Sequence, residues 1–250
     1  MTPTPALDSY FPRLGSSDSE RRLLAWITLA SGVLALACMA VGLDAAHYDF
    51  DAFSEPSRLL DMSGVNPRSL RAFLLLDMFG FYLLLAPLVL ASHRFLVGRT
   101  PWAATLTACG LAYVLIGSIG ASILAAAWPS ILEAHALASP AEALQLRANF
   151  SLFTQLVYDG LWNTLEVLLV GVWWSGLALA LWSTNRAFAW LTLLTGIFPL
   201  LDGVAGLFAI APLHEAMLTG YSVTSIVWPI ALGTALLRST SVRERFPALA

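Results

Sequence analysis

The hydrophobic positions of the chain fall into six long runs, and most polar residues lie between them. The runs cover residues 23–43, 71–96, 102–128, 151–182, 187–212 and 218–237. An α-helix needs about 20 mostly apolar residues to cross a bilayer. The pattern therefore predicts an all-α integral membrane protein built as a six-transmembrane-helix bundle. The predicted membrane domain is 23–237, and its tails, 1–22 and 238–250, are too short to fold alone.

The arginines predict how this bundle is oriented. In a six-span topology, the two tails and the connections after the second and fourth runs share one side of the membrane. That side holds nine arginines: Arg13, Arg21, Arg22, Arg94, Arg99, Arg186, Arg238, Arg243 and Arg245. The other side holds four: Arg58, Arg68, Arg71 and Arg147. Because positive loops stay in the cytoplasm, we expect both termini to be cytoplasmic and the protein to lie in a bacterial inner membrane.

Composition narrows the functional classes. Only 12% of the residues are charged, about half the share of a soluble domain, which indicates lipid as the main partner. The net charge of −3 gives no basic surface for nucleic acid. All cations are arginines, which excludes lysine Schiff-base chemistry. The two cysteines, Cys38 and Cys109, lie inside apolar runs, and no zinc-like spacing occurs, so we expect neither a metal nor a cofactor.

The fourth run contains polar residues that a membrane helix normally lacks. They lie in and beside the stretch YDGLWNTLE: Gln155, Asp159, Asn163 and Glu166. At about 100° per residue, these four side chains fall within one arc of about 80°. A charged group at the bilayer centre costs at least about 2.5–3.5 kcal/mol. The helical pattern therefore predicts one inward-facing polar stripe, bordered by Trp162 and Trp173.

Two further carboxylates lie within other apolar runs. Asp77 is in the second run and Asp202 is in the fifth. We expect both to face the stripe, with Arg71 and Arg147 as the nearest cations. Because these cations are too few and too shallow to neutralise four carboxylates, at least one carboxylate should hold a proton or bind a cation. The predicted catalytic pair is Asp159 and Glu166. The predicted ligand-binding residues are Asp77, Asn163, Asp202, Gln155, Trp162 and Trp173.

Three stretches of the chain resemble a bacterial family of multi-pass membrane proteins, domain of unknown function 4386. They are SLRAFLLLDMFGFYLLL at 69–85, the run at 150–182, and NRAFAWLTLLTGIFPLLDGVAGLF at 185–208. The matching positions are Arg71 and Asp77, Tyr158, Asp159 and Gly160, and Leu201 and Asp202. The Trp-rich fourth run with Glu166 departs from that family. The resemblance implies a shared topology and important aspartates, and it implies no activity.

Three functional hypotheses follow from the carboxylates. The first is a protein that binds or moves a cation, a proton or an amphipathic small molecule at a site open to the outer half of the bilayer. If it transports, we expect a homodimer, because most known transport geometries need more helices. The second is a membrane-embedded enzyme in which protonated Glu166 and ionised Asp159 catalyse cyclisation, isomerisation or hydration of an isoprenoid or lipid. The third is a structural or interaction protein.

Overall fold

Six long helices make up almost the whole of the computed structural model. It describes residues 14, 17–49, 52, 55–62 and 64–245, with side chains as far as Arg238. Arg13 and the end of the predicted C-terminal tail, 246–250, lie outside the described residues. The helices are α1 (Asp18–Ala45), α2 (Pro67–Leu96), α3 (Ala103–Leu137), α4 (Pro140–Leu181), α5 (Arg186–Leu207) and α6 (Ala211–Arg245). All six are long and apolar enough to cross a membrane, which confirms the predicted all-α class and span count.

Several of the helices begin where the sequence supplies a side chain to cap their first amide groups. The Ser17 hydroxyl accepts a hydrogen bond from the Glu20 amide at the start of α1, over 3.1 Å. The Asn185 side chain does the same for Phe188 at the start of α5. At α4, Ser139 and Glu142 form a capping box with Pro140 in the first turn.

The bundle is a closed ring of helices. Each helix packs on its neighbours along the chain, and α1 also packs on α6, which closes the ring. Small residues permit the closest approaches, as expected for helices packed in lipid. A methyl group at Gly80 of α2 would lie 2.5 Å from the backbone nitrogen of Ala35 in α1. One at Gly233 of α6 would lie 2.8 Å from the backbone nitrogen of Leu29.

Two helices lose their regular α-helical geometry in the middle of the bundle. In α2, residues Met78–Tyr82 form a π-helical turn, followed by a 3₁₀ turn at Leu83–Leu85. Pro87, which cannot donate a backbone hydrogen bond, follows directly. In α4, the π-helical segment is longer, Leu156–Glu166. Such segments are rare in proteins and often lie at functional sites.

The fifth helix ends earlier than the hydrophobic pattern predicts. The apolar run extends to residue 212, whereas α5 ends at Leu207. Ala209 has a φ of 55°, which is the left-handed conformation that stops a helix. The Ile210 amide then donates a hydrogen bond to the Ala205 carbonyl, which caps the helix end. Asp202 therefore lies five residues from the end of α5, although it is near the middle of the predicted run 187–212.

Candidate functional site

Glu166 is the most deeply buried carboxyl group of the fourth helix. It lies at the end of the π-helical segment and is 3% exposed. The Tyr82 hydroxyl of α2 donates a hydrogen bond of 3.0 Å to Glu166 Oε2. The Tyr221 hydroxyl of α6 also lies within hydrogen-bonding reach of this carboxyl group. Tyrosine hydroxyls from α2 and α6 therefore contact Glu166, and both partners are uncharged.

A third tyrosine extends this cluster to α3. Tyr113 is fully buried, and its hydroxyl donates a 2.7 Å hydrogen bond to the Phe81 carbonyl in the α2 π-turn. Its ring lies 5.2 Å from the Tyr82 ring, edge to face. We call Glu166 with Tyr82, Tyr113 and Tyr221 the tyrosine cage. It joins four of the six helices at mid-bundle.

Asp77 is the second carboxyl group at this site. Its Oδ2 atom is buried and has no hydrogen-bond partner among the described residues. It lies close enough to interact electrostatically with Glu166, Tyr82 and Tyr158. The site therefore combines two acidic side chains from two helices, each at the edge of a π-helical segment.

Neither expected arginine is seen to neutralise these carboxyl groups. The side chain of Arg71, near the start of α2, is exposed. Arg147 forms two hydrogen bonds with Asp61, one of them 3.0 Å long, on the bundle surface. These bonds lower the pKa of Asp61. In the part of the chain that the structure describes, no ion pair involves Asp77 or Glu166.

The four polar residues of α4 do not form the predicted single stripe. Gln155 and Asp159 are exposed, Asn163 is half-buried and Glu166 is buried. The π-helical geometry explains the difference. Seven α-helical residues return to within about 20° of the starting direction. At roughly 80° per residue in a π-helix, the same step ends roughly 160° away. Asp159 and Glu166 therefore point to nearly opposite faces. The prediction of a single stripe assumed α-helical geometry, which this part of α4 does not have.

Asp202 forms a separate pair at the far end of the bundle. It is fully buried, and its Oδ1 lies 2.7 Å from Nδ1 of His214 in the first turn of α6. The His214 side chain is 28% exposed. Neither atom has another hydrogen-bond partner among the described residues. The structure pairs Asp202 with His214, and among the described residues it shows no interaction between Asp202 and Glu166.

The two predicted tryptophans pack in different places. Trp173 is fully buried and stacks on Trp174 with ring centres 5.4 Å apart. Trp174 in turn contacts Tyr113 and Tyr221, so this pair forms one wall of the tyrosine cage. Trp162 instead packs on Tyr158 and against Gly120 of α3, where an added methyl group would overlap its ring.

Four residues of these two clusters are not among those predicted from the sequence: Tyr82, Tyr113, Tyr221 and His214. One signal was available for each. Tyr82, Tyr113 and Tyr221 lie inside apolar runs, where a hydroxyl group needs a hydrogen-bond partner. His214 lies in the break between the fifth and sixth runs, where it can approach the carboxyl group of the fifth run. Neither signal predicts which residue is the hydrogen-bond partner, because the partners lie on other helices.

The fold and the site together define a multi-pass integral membrane protein with acidic residues buried between its helices. No protein-family model, curated protein or solved structure matches this chain. The site must therefore be interpreted from its own geometry.

Proposed function

We propose that this protein binds and releases a proton at the carboxyl groups of Glu166 and Asp77, as part of proton movement across the membrane. The observation that carries the proposal is the charge imbalance of the site. Glu166 is buried, the half-buried Asp77 interacts with it electrostatically through a carboxyl group whose Oδ2 is buried, and the groups that contact Glu166 are tyrosine hydroxyls. A buried carboxylate without a counter-charge is costly, and it avoids that cost by holding a proton or a bound cation.

The packing around the site supports a proton over a larger ligand. A methyl group at Gly117 would overlap the Tyr82 ring, so α3 lies directly against the cage. The apolar groove of about 230 Å³ between α1 and α2 is lined by other residues, among them Leu23, Leu90 and Arg94. A proton needs no cavity, whereas the isoprenoid or lipid substrate of the enzyme hypothesis needs a large one. The cage therefore favours proton transfer.

The irregular helices support movement in addition to binding. Helices interrupted at mid-membrane, with ionisable residues beside the interruption, are typical of ion and proton pathways. Here the interruptions in α2 and α4 adjoin Asp77 and Glu166. Residues at such interruptions change their direction with small backbone adjustments. Each carboxyl group can therefore exchange its proton with a different side of the bundle.

The proposal includes a cellular setting. We propose a bacterial inner membrane with both termini in the cytoplasm, on the arginine asymmetry described above. We also propose membership of the uncharacterised family that the aspartate motifs resemble, and a homodimer as the transporting unit. In this orientation Asp77 and the Asp202–His214 pair lie toward the outer side.

Proton flux into liposomes tests the proposed function. The purified protein is reconstituted with a pH-sensitive dye inside, and a potassium gradient with valinomycin sets the membrane potential. We expect wild-type protein to acidify the lumen faster than empty liposomes, and Glu166→Gln to return the rate to that of empty liposomes. Glu215→Gln, which changes an exposed carboxyl group in α6, is the matched control and should keep the wild-type rate.

The same assay separates the alternatives. Equal rates for Glu166→Gln and wild type contradict the proposal. A wild-type acidification rate no higher than that of empty liposomes also contradicts transport. That result would favour a structural role for the carboxyl groups. Acidification that requires a Na⁺ gradient at an unchanged membrane potential would assign the site to a metal cation.

A further inference from the structure

The π-turn of α2 is held in place by side chains from two neighbouring helices. A π-turn removes the regular i to i+4 pairing and leaves carbonyl groups in need of donors. The Ser31 hydroxyl of α1 donates to the Gly80 carbonyl, and the Tyr113 hydroxyl of α3 donates to the Phe81 carbonyl. Both donors are fully buried. Gly80 has no side chain, which allows the α1 backbone close enough for Ser31 to reach it.

This π-turn determines which residues of α2 share a face. Asp77 and Tyr82 are five residues apart, and in an α-helix their side chains would point about 140° apart. With the wider π-helical turn, the same five residues leave them roughly 40° apart. The turn therefore places Asp77 beside Tyr82, the residue whose hydroxyl contacts Glu166.

We propose that Ser31 and Tyr113 are positioning residues that keep Asp77 next to Glu166 by maintaining the π-turn of α2. Neither needs to exchange a proton for this role. The inference deepens the proposed function and rests on it for its importance, but the backbone arrangement is testable independently. Ser31 is the clearer case, because Tyr113 is itself part of the tyrosine cage and also interacts with Tyr221.

A double-mutant cycle between Ser31 and Asp77 tests the positioning role. The readout is the pH midpoint at which the protonated Glu166 carboxyl band disappears from the infrared spectrum of the reconstituted protein. The band is assigned by its loss in Glu166→Gln. We expect Asp77→Asn to move this midpoint by about one pH unit, since nearby carboxylates interact by about that amount or more. Ser31→Ala should move it in the same direction, and should have no further effect in the Asp77→Asn background.

Thr28→Ala is the matched control. Thr28 is also a fully buried hydroxyl residue of α1, but it donates only to the Leu24 carbonyl of its own helix. We expect this variant to leave the midpoint unchanged. An unchanged midpoint in Ser31→Ala overturns the inference. So does an equal shift in both backgrounds, or an equal shift in Thr28→Ala, because either shows general loosening of the bundle.

Amide hydrogen exchange keeps the inference testable if Glu166 does not titrate. Loss of one hydrogen bond that holds the π-turn should speed exchange in residues 78–86 about five- to tenfold in Ser31→Ala. Thr28→Ala should leave these residues at the wild-type rate. If exchange at 78–86 is unchanged in Ser31→Ala, the positioning role is wrong. If exchange changes while the Glu166 band is absent from wild type, the positioning role stands and the proposed proton site fails.

Discussion

Replacing Glu166 with glutamine and with alanine distinguishes a proton-holding side chain from one half of a structural ion pair. Glutamine has nearly the size of a protonated glutamic acid, and its carbonyl accepts the hydrogen bonds from Tyr82 and Tyr221. We therefore expect Glu166→Gln to change the free energy of unfolding by less than about 1 kcal/mol. Breaking a buried ion pair would cost about 3–5 kcal/mol instead.

Alanine removes both the volume and the hydrogen bonds. One or two buried tyrosine hydroxyls then lose a partner, at about 1–3 kcal/mol, and a cavity remains. We expect Glu166→Ala to destabilise by about 3–4 kcal/mol in total. For a chain of this size, 1 kcal/mol corresponds to about 2–4 °C in Tm. Alanine should therefore lower Tm by about 6–16 °C, and glutamine by at most about 4 °C.

Thermal unfolding in detergent micelles, followed by tryptophan fluorescence, measures both variants at neutral pH. Two of the nine tryptophans, Trp173 and Trp174, are buried beside the cage and contribute to this signal. Glu215→Gln serves as the exposed control. If glutamine and alanine lower Tm equally, the side chain is charged and paired in the folded protein, and the reasoning is refuted.

Three further predictions follow. His214→Ala removes the hydrogen-bond partner of the fully buried Asp202 and should destabilise by about 1–3 kcal/mol, more than Asp202→Asn, whose amide can still pair with His214; equal losses of Tm would contradict this pairing. Gly117→Ala should destabilise by about 1–3 kcal/mol because its methyl group overlaps a cage ring, whereas Gly160→Ala, which meets open space, should not. The lowered pKa of Asp61 means that its surface ion pair contributes fully above the usual aspartate pKa of about 3.9 and is lost as the pH falls through the lower folded value. The Tm difference between wild type and Asp61→Asn should be small, about 1–2 °C at pH 6, and should vanish in stronger acid.

The sequence predicts the membrane fold well because the hydrophobic runs are long. Six apolar runs correspond to six helices, although α4 begins at Pro140, eleven residues before the predicted run 151–182. Helix ends are less certain from sequence. Ala209 shows why, because an alanine in a left-handed conformation carries no composition signal for a helix stop.

The site is predicted less well, because its key determinant is the backbone. The predicted stripe from Gln155 to Glu166 assumes an α-helix with about 100° per residue. The structure has a π-helical segment there instead, so the side chains point in other directions. Glu166 is buried and Asp77 is half-buried, as expected for carboxyl groups that are costly to expose to lipid. Their partners depend on helix packing that a single sequence does not specify. The Asp202–His214 pair arises in the same way, from a turn that brings two helix ends together.

The most direct test of the central claim is the infrared spectrum of the reconstituted wild-type protein, compared with that of Glu166→Gln at neutral pH. If Glu166 holds a proton between Tyr82 and Tyr221, the wild type shows a protonated carboxyl band that is absent from the variant. The band should also persist in Glu215→Gln. If wild type and Glu166→Gln have the same spectrum in this region, Glu166 is ionised in the folded protein, and the proposed proton site is contradicted.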